Sequence, residues 1–300
     1  GVAHAELSFQ GALPYAQERR SMRALSGKKE PEQVADALIW HPDVRRMLLT
    51  QKAIAEGGRA MIYGASKIAD KMFNAVTEGN QAAYKKYDDE LGFYTPILKG
   101  FLTEMGLEAA NLGIQVFGGH GYIGEHGMEQ IARDARISTL YEGTTGIQAL
   151  DLLGRKVLLG SKGKCVRDFS ATILRLAKPY ALQRTPMGQM MRTLARRTAQ
   201  WNVLTTLIML RSSKDREQVG SSSVDYLMYS GFVMMAYFWA LQASKAAELL
   251  ASGKGKESND FYTAKIQTAE FYFARLLPRA DGHYSAALAP TSAVMQMPQE

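Results

Sequence analysis

Apolar positions recur with helical spacing along almost the whole chain. Val2, Ala5, Phe9, Leu13 and Ala16 share one face of a first helix over residues 1–25. Gly27 and Pro31 mark a polar stretch, and His41-Pro42 opens a long second helix with proline where a first turn accepts it. Met47, Gln51, Ile54, Gly58, Met61, Ala65, Ile68, Met72 and Val76 follow in steps of three and four, which is a bundle seam. A polar break is expected from Gly79 to Glu90, with Asp88-Asp89-Glu90 in a solvated loop. Thr95-Pro96 then reads as an N-cap with proline at the first helical position. Leu98, Phe101, Leu102, Met105, Ala109, Leu112 and Val116 carry that helix to Gly118-Gly119.

A glycine-rich turn, a short helix over residues 128–137, and a Thr145-Gly146-Ile147-Gln148 capping box that starts a further helix come next. Beyond a small basic linker at residues 160–164, the spacing predicts helices over 165–183, 186–213, 223–252 and 258–277, then a tail. The expected fold is all-α: an antiparallel four-helix bundle over residues 1–160, an additional C-terminal helical domain over 165–285, and a tail over 286–300. No strand pattern or repeat interrupts it. The uncharged run from Tyr226 to Ser244 approaches membrane-spanning length, but Gly231, Gln242 and several hydroxyls favour a buried core helix. The chain opens at Gly1 inside a helix with no cap before it, so a longer polypeptide is expected upstream.

Composition narrows the chemistry only a little. The formal net charge of +7 admits an anionic partner such as coenzyme A, FAD, nucleic acid or acidic lipid without choosing among them. The single cysteine, Cys165, forms no internal disulfide and fits a reducing, cytoplasmic setting. Gly119-His120-Gly121-Tyr122-Ile123-Gly124 matches Gly-x-Gly-x-x-Gly, but it follows a helix instead of a strand, which argues against a dinucleotide-binding β-α-β unit. His120, Glu125 and His126 lack metal-ligand spacing and read as loop residues. No metal is expected.

The segment from Tyr141 to Gln148 is the most informative. Glu142 stands before a helix start, between an aromatic residue and a glycine. A carboxylate on a constrained turn beside backbone donors suits a general base, but these residues alone favour a helix-flanking charge.

Three blocks extend this picture. Gln115-Val116-Phe117-Gly118-Gly119-His120-Gly121-Tyr122, Arg133-Asp134-Ala135-Arg136-Ile137 and Tyr141-Glu142-Gly143-Thr144-Thr145-Gly146-Ile147-Gln148 occur in that order. Together they resemble the C-terminal signature of the FAD-dependent acyl-CoA dehydrogenases. The resemblance covers residues 1–159, and the later helices are similar to the extra C-terminal region of larger bacterial members.

The resemblance implies that Glu142 removes the α-proton of an acyl-CoA thioester, giving a trans-2-enoyl-CoA. It places Tyr141 and Gly143 beside substrate and Thr144 against FAD. Arg19, Gln115 and Gly119 would line the diphosphate part of FAD from a neighbouring subunit. A homodimer or dimer of dimers and an electron-transfer flavoprotein as acceptor are implied with it. The family's N-terminal helical and middle β-domains are not within these residues, so the chain alone is expected to be inactive.

Two departures stand out: Arg20-Ser21-Met22-Arg23 where the family commonly has Lys-Thr-Phe-Gly, and a longer insert up to His41. The alternative is a nucleic-acid-associated flavoprotein of the alkylation-response branch, using Arg184, Arg192, Arg196 and Arg197. A solvated or subunit-facing surface is favoured over nucleic acid for those residues.

Overall fold

The computed structural model describes residues 1–298, and the fold is all-α. No strand forms among the described residues; Arg20 and Ala37 make one isolated antiparallel bridge. Helices α1 (Val2–Glu18), α2 (Pro42–Thr77), α3 (Gln81–Phe117), α4 (Gly119–Tyr122), α5 (Met128–Ser138) and α6 (Thr145–Leu150) occupy the first half. The chain forms two compact units: Gly1–Arg59 with Leu102–Glu142, and Ala60–Phe101 with Gly143 onward. Helices α2 and α3 run through both.

In the first unit α1 buries small residues, Ala5, Ser8, Ala12 and Ala16, which lets it lie close to its neighbours. The Ser8 hydroxyl is 2.9 Å from Gln51 Oε1 and 3.0 Å from the Ala109 carbonyl oxygen, tying α1 to α2 and α3. A Cβ at Gly113 would sit 2.1 Å from that hydroxyl oxygen, so α3 needs glycine there. Ala12, Ala16, Met47, Leu48, Val116, Phe117 and Met128 form the core.

Helix α1 ends at Glu18, short of the expected Leu25. The polar residues beyond it are organised around Asp36, whose buried carboxylate accepts from the N–H groups of Ala24 (2.8 Å), Lys29 (3.0 Å) and Glu30 (2.8 Å) and from Arg23 (3.2 Å). A carboxylate that satisfies so many main-chain donors competes with helix continuation.

The expected break over residues 79–90 shrinks to a tight turn. Asn80 Oδ1 accepts from Ala83 N–H at 3.0 Å and caps α3, and Gln81–Glu90 are mostly good helix formers. Asp88, Asp89 and Glu90 therefore lie on an exposed helix face, not in a loop. Thr95-Pro96 starts nothing. Pro96 is buried inside α3, and the Thr95 hydroxyl donates back to the Leu91 carbonyl at 2.8 Å. The α2 seam buries Met47, Gln51, Ile54, Met61, Ala65 and Ile68, whereas Val76 is exposed.

The second unit continues with α7 (Lys164–Ala177), α8 (Pro186–Ser212), α9 (Glu217–Ser252) and α10 (Asn259–Phe271), the last extended by a π-helical turn to Leu276. Thr185 and Ser258 cap α8 and α10 by accepting from Gly188 N–H (3.1 Å) and Phe261 N–H (3.2 Å). Phe93, Phe169 and Trp201 gather with centroids 6.0–6.3 Å apart. Helix α9 is buried on every side from Tyr226 to Ala236, which accounts for its lack of a polar face. No described helix is long and apolar enough to cross a membrane.

The segment expected to be a tail from residue 286 is partly helical. Helix α11 (Ala280–Ala287) packs on α9, and Ser222 Oγ donates to the Ala287 carbonyl at 2.6 Å. Its buried positions are alanines, too small to show as periodicity.

Candidate active site

Two segments carry the residues of interest, one within the first unit and one whose chain passes from the first unit to the second at Glu142–Gly143. At the end of α1, the Tyr15 ring stacks on Phe117 with centroids 3.9 Å apart, and its hydroxyl lies 2.9 Å from His120 Nδ1. His120 in turn stacks on His126 at 5.0 Å. This pile of rings sets the last turn of α1 against the glycine turn after α3. Arg19 lies one helical turn beyond Tyr15. Its N–H donates to the Tyr15 carbonyl at 2.8 Å, and its carbonyl accepts from Leu38 N–H at 2.8 Å. The Arg19 guanidinium is exposed and makes no hydrogen bond or ion pair among the described residues.

Gln115 is exposed on the last turn of α3. Gly118, with φ 61°, turns the chain, and Gly119 leaves open space where a side chain would be. No group of His, Cys, Asp or Glu among the described residues is gathered closely enough to hold a metal ion.

The second segment leaves α5 through Leu140 and Tyr141, whose N–H groups donate to the Ile137 carbonyl at 3.0 and 3.2 Å. Tyr141 is 55% exposed, and Glu142 is exposed. Glu142 has φ 53° and Gly143 φ 91°, so two successive residues adopt left-handed backbone. For a non-glycine residue that conformation costs about 1–2 kcal/mol, and it persists where the surroundings impose it.

Gly143 has no alternative. A Cβ there would lie 2.9 Å from Gln148 Nε2 as well as at an unfavourable φ. The Gly143 carbonyl accepts from Lys99 Nζ, on α3, at 2.5 Å. The cap of α6 is Thr144, not Thr145: the Thr144 hydroxyl accepts from Ile147 N–H at 3.4 Å, and its carbonyl accepts from Gln148 N–H at 3.0 Å. The double left-handed turn moves the cap one residue earlier than the Thr-x-x-Gln spacing suggests. Helix α6 passes directly into π-helical backbone at Asp151–Gly160, which buries Leu152, Leu153 and Val157.

Sequence reasoning missed Lys99, Tyr15 and Asp36. Lys99 offers no signal beyond a half-buried lysine one turn after a proline. Of the four arginines of the basic cluster, Arg197 and Arg192 are engaged within the chain, whereas Arg184 and Arg196 are exposed. Arg197 is 4% exposed and ion-paired with Asp281, and Arg192 donates to the Gln183 carbonyl at 2.6 Å. Burial by α11 and closure of the preceding turn account for both.

The comparisons with known proteins bear on this arrangement. The family described as acyl-CoA dehydrogenase, C-terminal domain, matches residues 11–158, and that described as acetyl-CoA dehydrogenase C-terminal like matches residues 166–298. The chain belongs to the acyl-CoA dehydrogenase family.

Among acyl-CoA dehydrogenases, the 3-methylmercaptopropionyl-CoA dehydrogenase of Ruegeria pomeroyi is 36% identical over 95% of this chain and 47% of its own length. The broad-specificity linear acyl-CoA dehydrogenase of Mycobacterium tuberculosis is 29% identical over 92% of this chain and 46% of its own. The crystal structure of an acyl-CoA dehydrogenase complexed with FAD from Bacillus anthracis superposes with a TM-score of 0.72 at 17% identity. That match covers 96% of this chain and 46% of the other, and it shows the shared fold. The chain thus spans about half the length of the acyl-CoA dehydrogenases it matches.

Proposed function

We propose that this chain is the base-bearing C-terminal part of a longer FAD-dependent enzyme that introduces a trans double bond between the α- and β-carbons of an acyl-CoA thioester. The observation that carries this reading is Glu142. It is a carboxylate held on a double left-handed turn, in a family whose members of known name act on acyl-CoA. Its carboxylate takes the α-proton of the thioester. FAD, when bound, accepts the hydride lost from the β-carbon, so two electrons and one proton leave with it and the enoyl thioester remains. Glycine at 143 lets the thioester approach the main chain, and Tyr141 supplies an apolar wall.

The residues present suit part of that cofactor. The Arg19 guanidinium is exposed without an internal partner, and the Gly119 main chain is open. A planar cation and an open glycine main chain are each groups that suit a pyrophosphate. Gln115 would add a polar side chain there. The Thr144 hydroxyl, while capping α6, keeps its proton available to a flavin atom.

The remainder of this reading concerns the whole enzyme. It works as a homodimer or dimer of dimers in the cytoplasm and passes electrons to an electron-transfer flavoprotein, and residues 1–300 alone are inactive. Residues 1–160 and 165–285 are its two C-terminal sequence domains.

The test is single-turnover bleaching of the flavin by acyl-CoA in the FAD-loaded full-length protein. Glu142→Gln keeps shape and removes the base. It is expected to retain FAD and acyl-CoA while bleaching slows by about 10²–10⁴-fold. A wild-type rate in that variant would assign the base elsewhere.

A further inference from the structure

We propose that Lys99 is a positioning residue for this reaction: its ammonium clamps the Gly143 carbonyl and thereby fixes the turn that presents Glu142. The proposal rests on the reading of Glu142 as the base.

The turn needs a clamp. Both Glu142 and Gly143 have positive φ, and for Glu142 that backbone is strained and relaxes to ordinary conformations unless something holds it. Close at hand, the Thr144 cap is a long contact at 3.4 Å, too weak to impose the geometry alone. Lys99 Nζ to Gly143 O is 2.5 Å, and its donor is charged, which makes it roughly twice as strong as a neutral hydrogen bond. It also spans 44 residues of sequence, so it ties the turn to α3 and not to its own helix.

The grip comes from two directions. Lys99 takes the Gly143 carbonyl, and the Gln148 amide occupies the space beside the Gly143 Cα. Rotation of the 143–144 peptide is therefore opposed by a charge on one side and by atoms on the other. Lys99 is half-buried, so this contact is sheltered from the screening that weakens surface lysine contacts.

Lys99 donates to the main-chain carbonyl of Gly143, next to the residue that carries the base. Its effect reaches Glu142 through the covalent chain. A displacement of about 1 Å at a catalytic group costs on the order of 10²-fold in rate.

The experiment uses the FAD-loaded full-length protein and follows anaerobic flavin bleaching with butanoyl-, octanoyl- or palmitoyl-CoA, whichever reduces the wild type fastest. Lys99→Met keeps the aliphatic stem and removes charge and donor. Its limiting bleaching rate is expected to fall by about 10–100-fold, with acyl-CoA affinity and melting temperature near wild type. Lys99→Arg restores donor and charge and is expected to recover most of the rate. A merely structural lysine would move affinity and melting temperature along with the rate and show no rescue by arginine.

A wild-type rate in Lys99→Met overturns the proposal, as does a parallel loss of rate and affinity. Should Lys99→Met fail to hold FAD, Lys99→Gln keeps a shorter neutral donor and is read in its place, with a loss of roughly tenfold expected and a wild-type rate overturning the proposal. Glu142→Gln measured alongside separates the two readings. A dead Glu142→Gln with a fully active Lys99→Met removes the clamp and leaves the base. A fully active Glu142→Gln, or a wild type that none of the three thioesters bleaches, removes both.

Discussion

The guanidinium of Arg197, buried at 4% exposure, is held at both terminal nitrogens by the two carboxylate oxygens of Asp281, one of them at 2.7 Å. The pair joins α8 to the first turn of α11. Hydrogen bonding from Arg197 holds the Asp281 carboxyl below its usual range. The two partners differ in exposure, and that asymmetry gives a prediction. Asp281→Ala leaves a buried cation without its counter-charge, whereas Arg197→Met leaves a half-solvated carboxylate that water can satisfy. Breaking a fully buried pair costs about 3–5 kcal/mol; with Asp281 half exposed, about 1–3 kcal/mol is expected for Asp281→Ala. Arg197→Met should cost less. Urea denaturation of the two variants checks the order.

Asp36 makes the segment from Arg20 to His41 sensitive to acid. Its carboxyl is held far below the ordinary range, first by the Ala24 N–H and then by the Glu30 and Lys29 N–H groups and Arg23. A lowered folded-state value means the stabilisation is fully present above the unfolded value of about 3.9, and is lost as pH falls through the folded one. Hydrogen exchange of residues 20–41 should therefore stay slow at neutral pH and quicken only in strong acid. Asp36→Asn turns one acceptor into a donor facing other donors, so its segment should exchange fast at neutral pH already. Slow exchange in that variant would mean that the loop is held by something else.

The cofactor reading yields its own test at Arg19. Its guanidinium is exposed and engages nothing among the described residues, so Arg19→Ala should leave the fold intact. A hydrogen bond to a charged partner contributes about 1.5–3 kcal/mol, which corresponds to roughly 10–150-fold in affinity. FAD dissociation from the full-length protein, followed by flavin fluorescence, should weaken by that factor with the melting temperature of the FAD-free protein unchanged.

The sequence made some of this arrangement legible and hid the rest for physical reasons. The blocks around Gln115, Arg133 and Glu142 are local strings, so their order carried both the family and the candidate base. The long seam from Met47 to Ile68 showed because one face of α2 is buried and the others are not. Helix α9 was located without a polar face to mark its start, and it begins at Glu217, six residues before the expected Ser223. Helix α11 was missed because its buried face is alanine. Lys99 and Asp36 act through ties to main-chain atoms, and a main-chain partner leaves no trace in the side-chain pattern. Pro96 misled because proline at a helix start is commoner than proline buried within one.

Two glycines of α9 should respond in opposite directions to the same change. Gly231 faces Phe101: a Cβ there would stand 2.2 Å from the ring Cγ, and Phe101 itself packs edge-on against Phe232 with centroids 5.1 Å apart. Both rings are buried, so neither can retreat into solvent. Gly231→Ala forces α9 and the facing part of α3 apart and should destabilise by about 1–3 kcal/mol, the usual cost of overfilling a packed core. Gly220 lies in the same helix with nothing within 4 Å of where its Cβ would be. There alanine meets no atom and only restricts the unfolded chain, so Gly220→Ala should stabilise by up to about 1 kcal/mol. Chemical denaturation of both variants against the parent decides it. If Gly231→Ala raises the midpoint as Gly220→Ala does, helix propensity outweighs packing at Gly231, and the close contact with Phe101 does not govern how α9 packs.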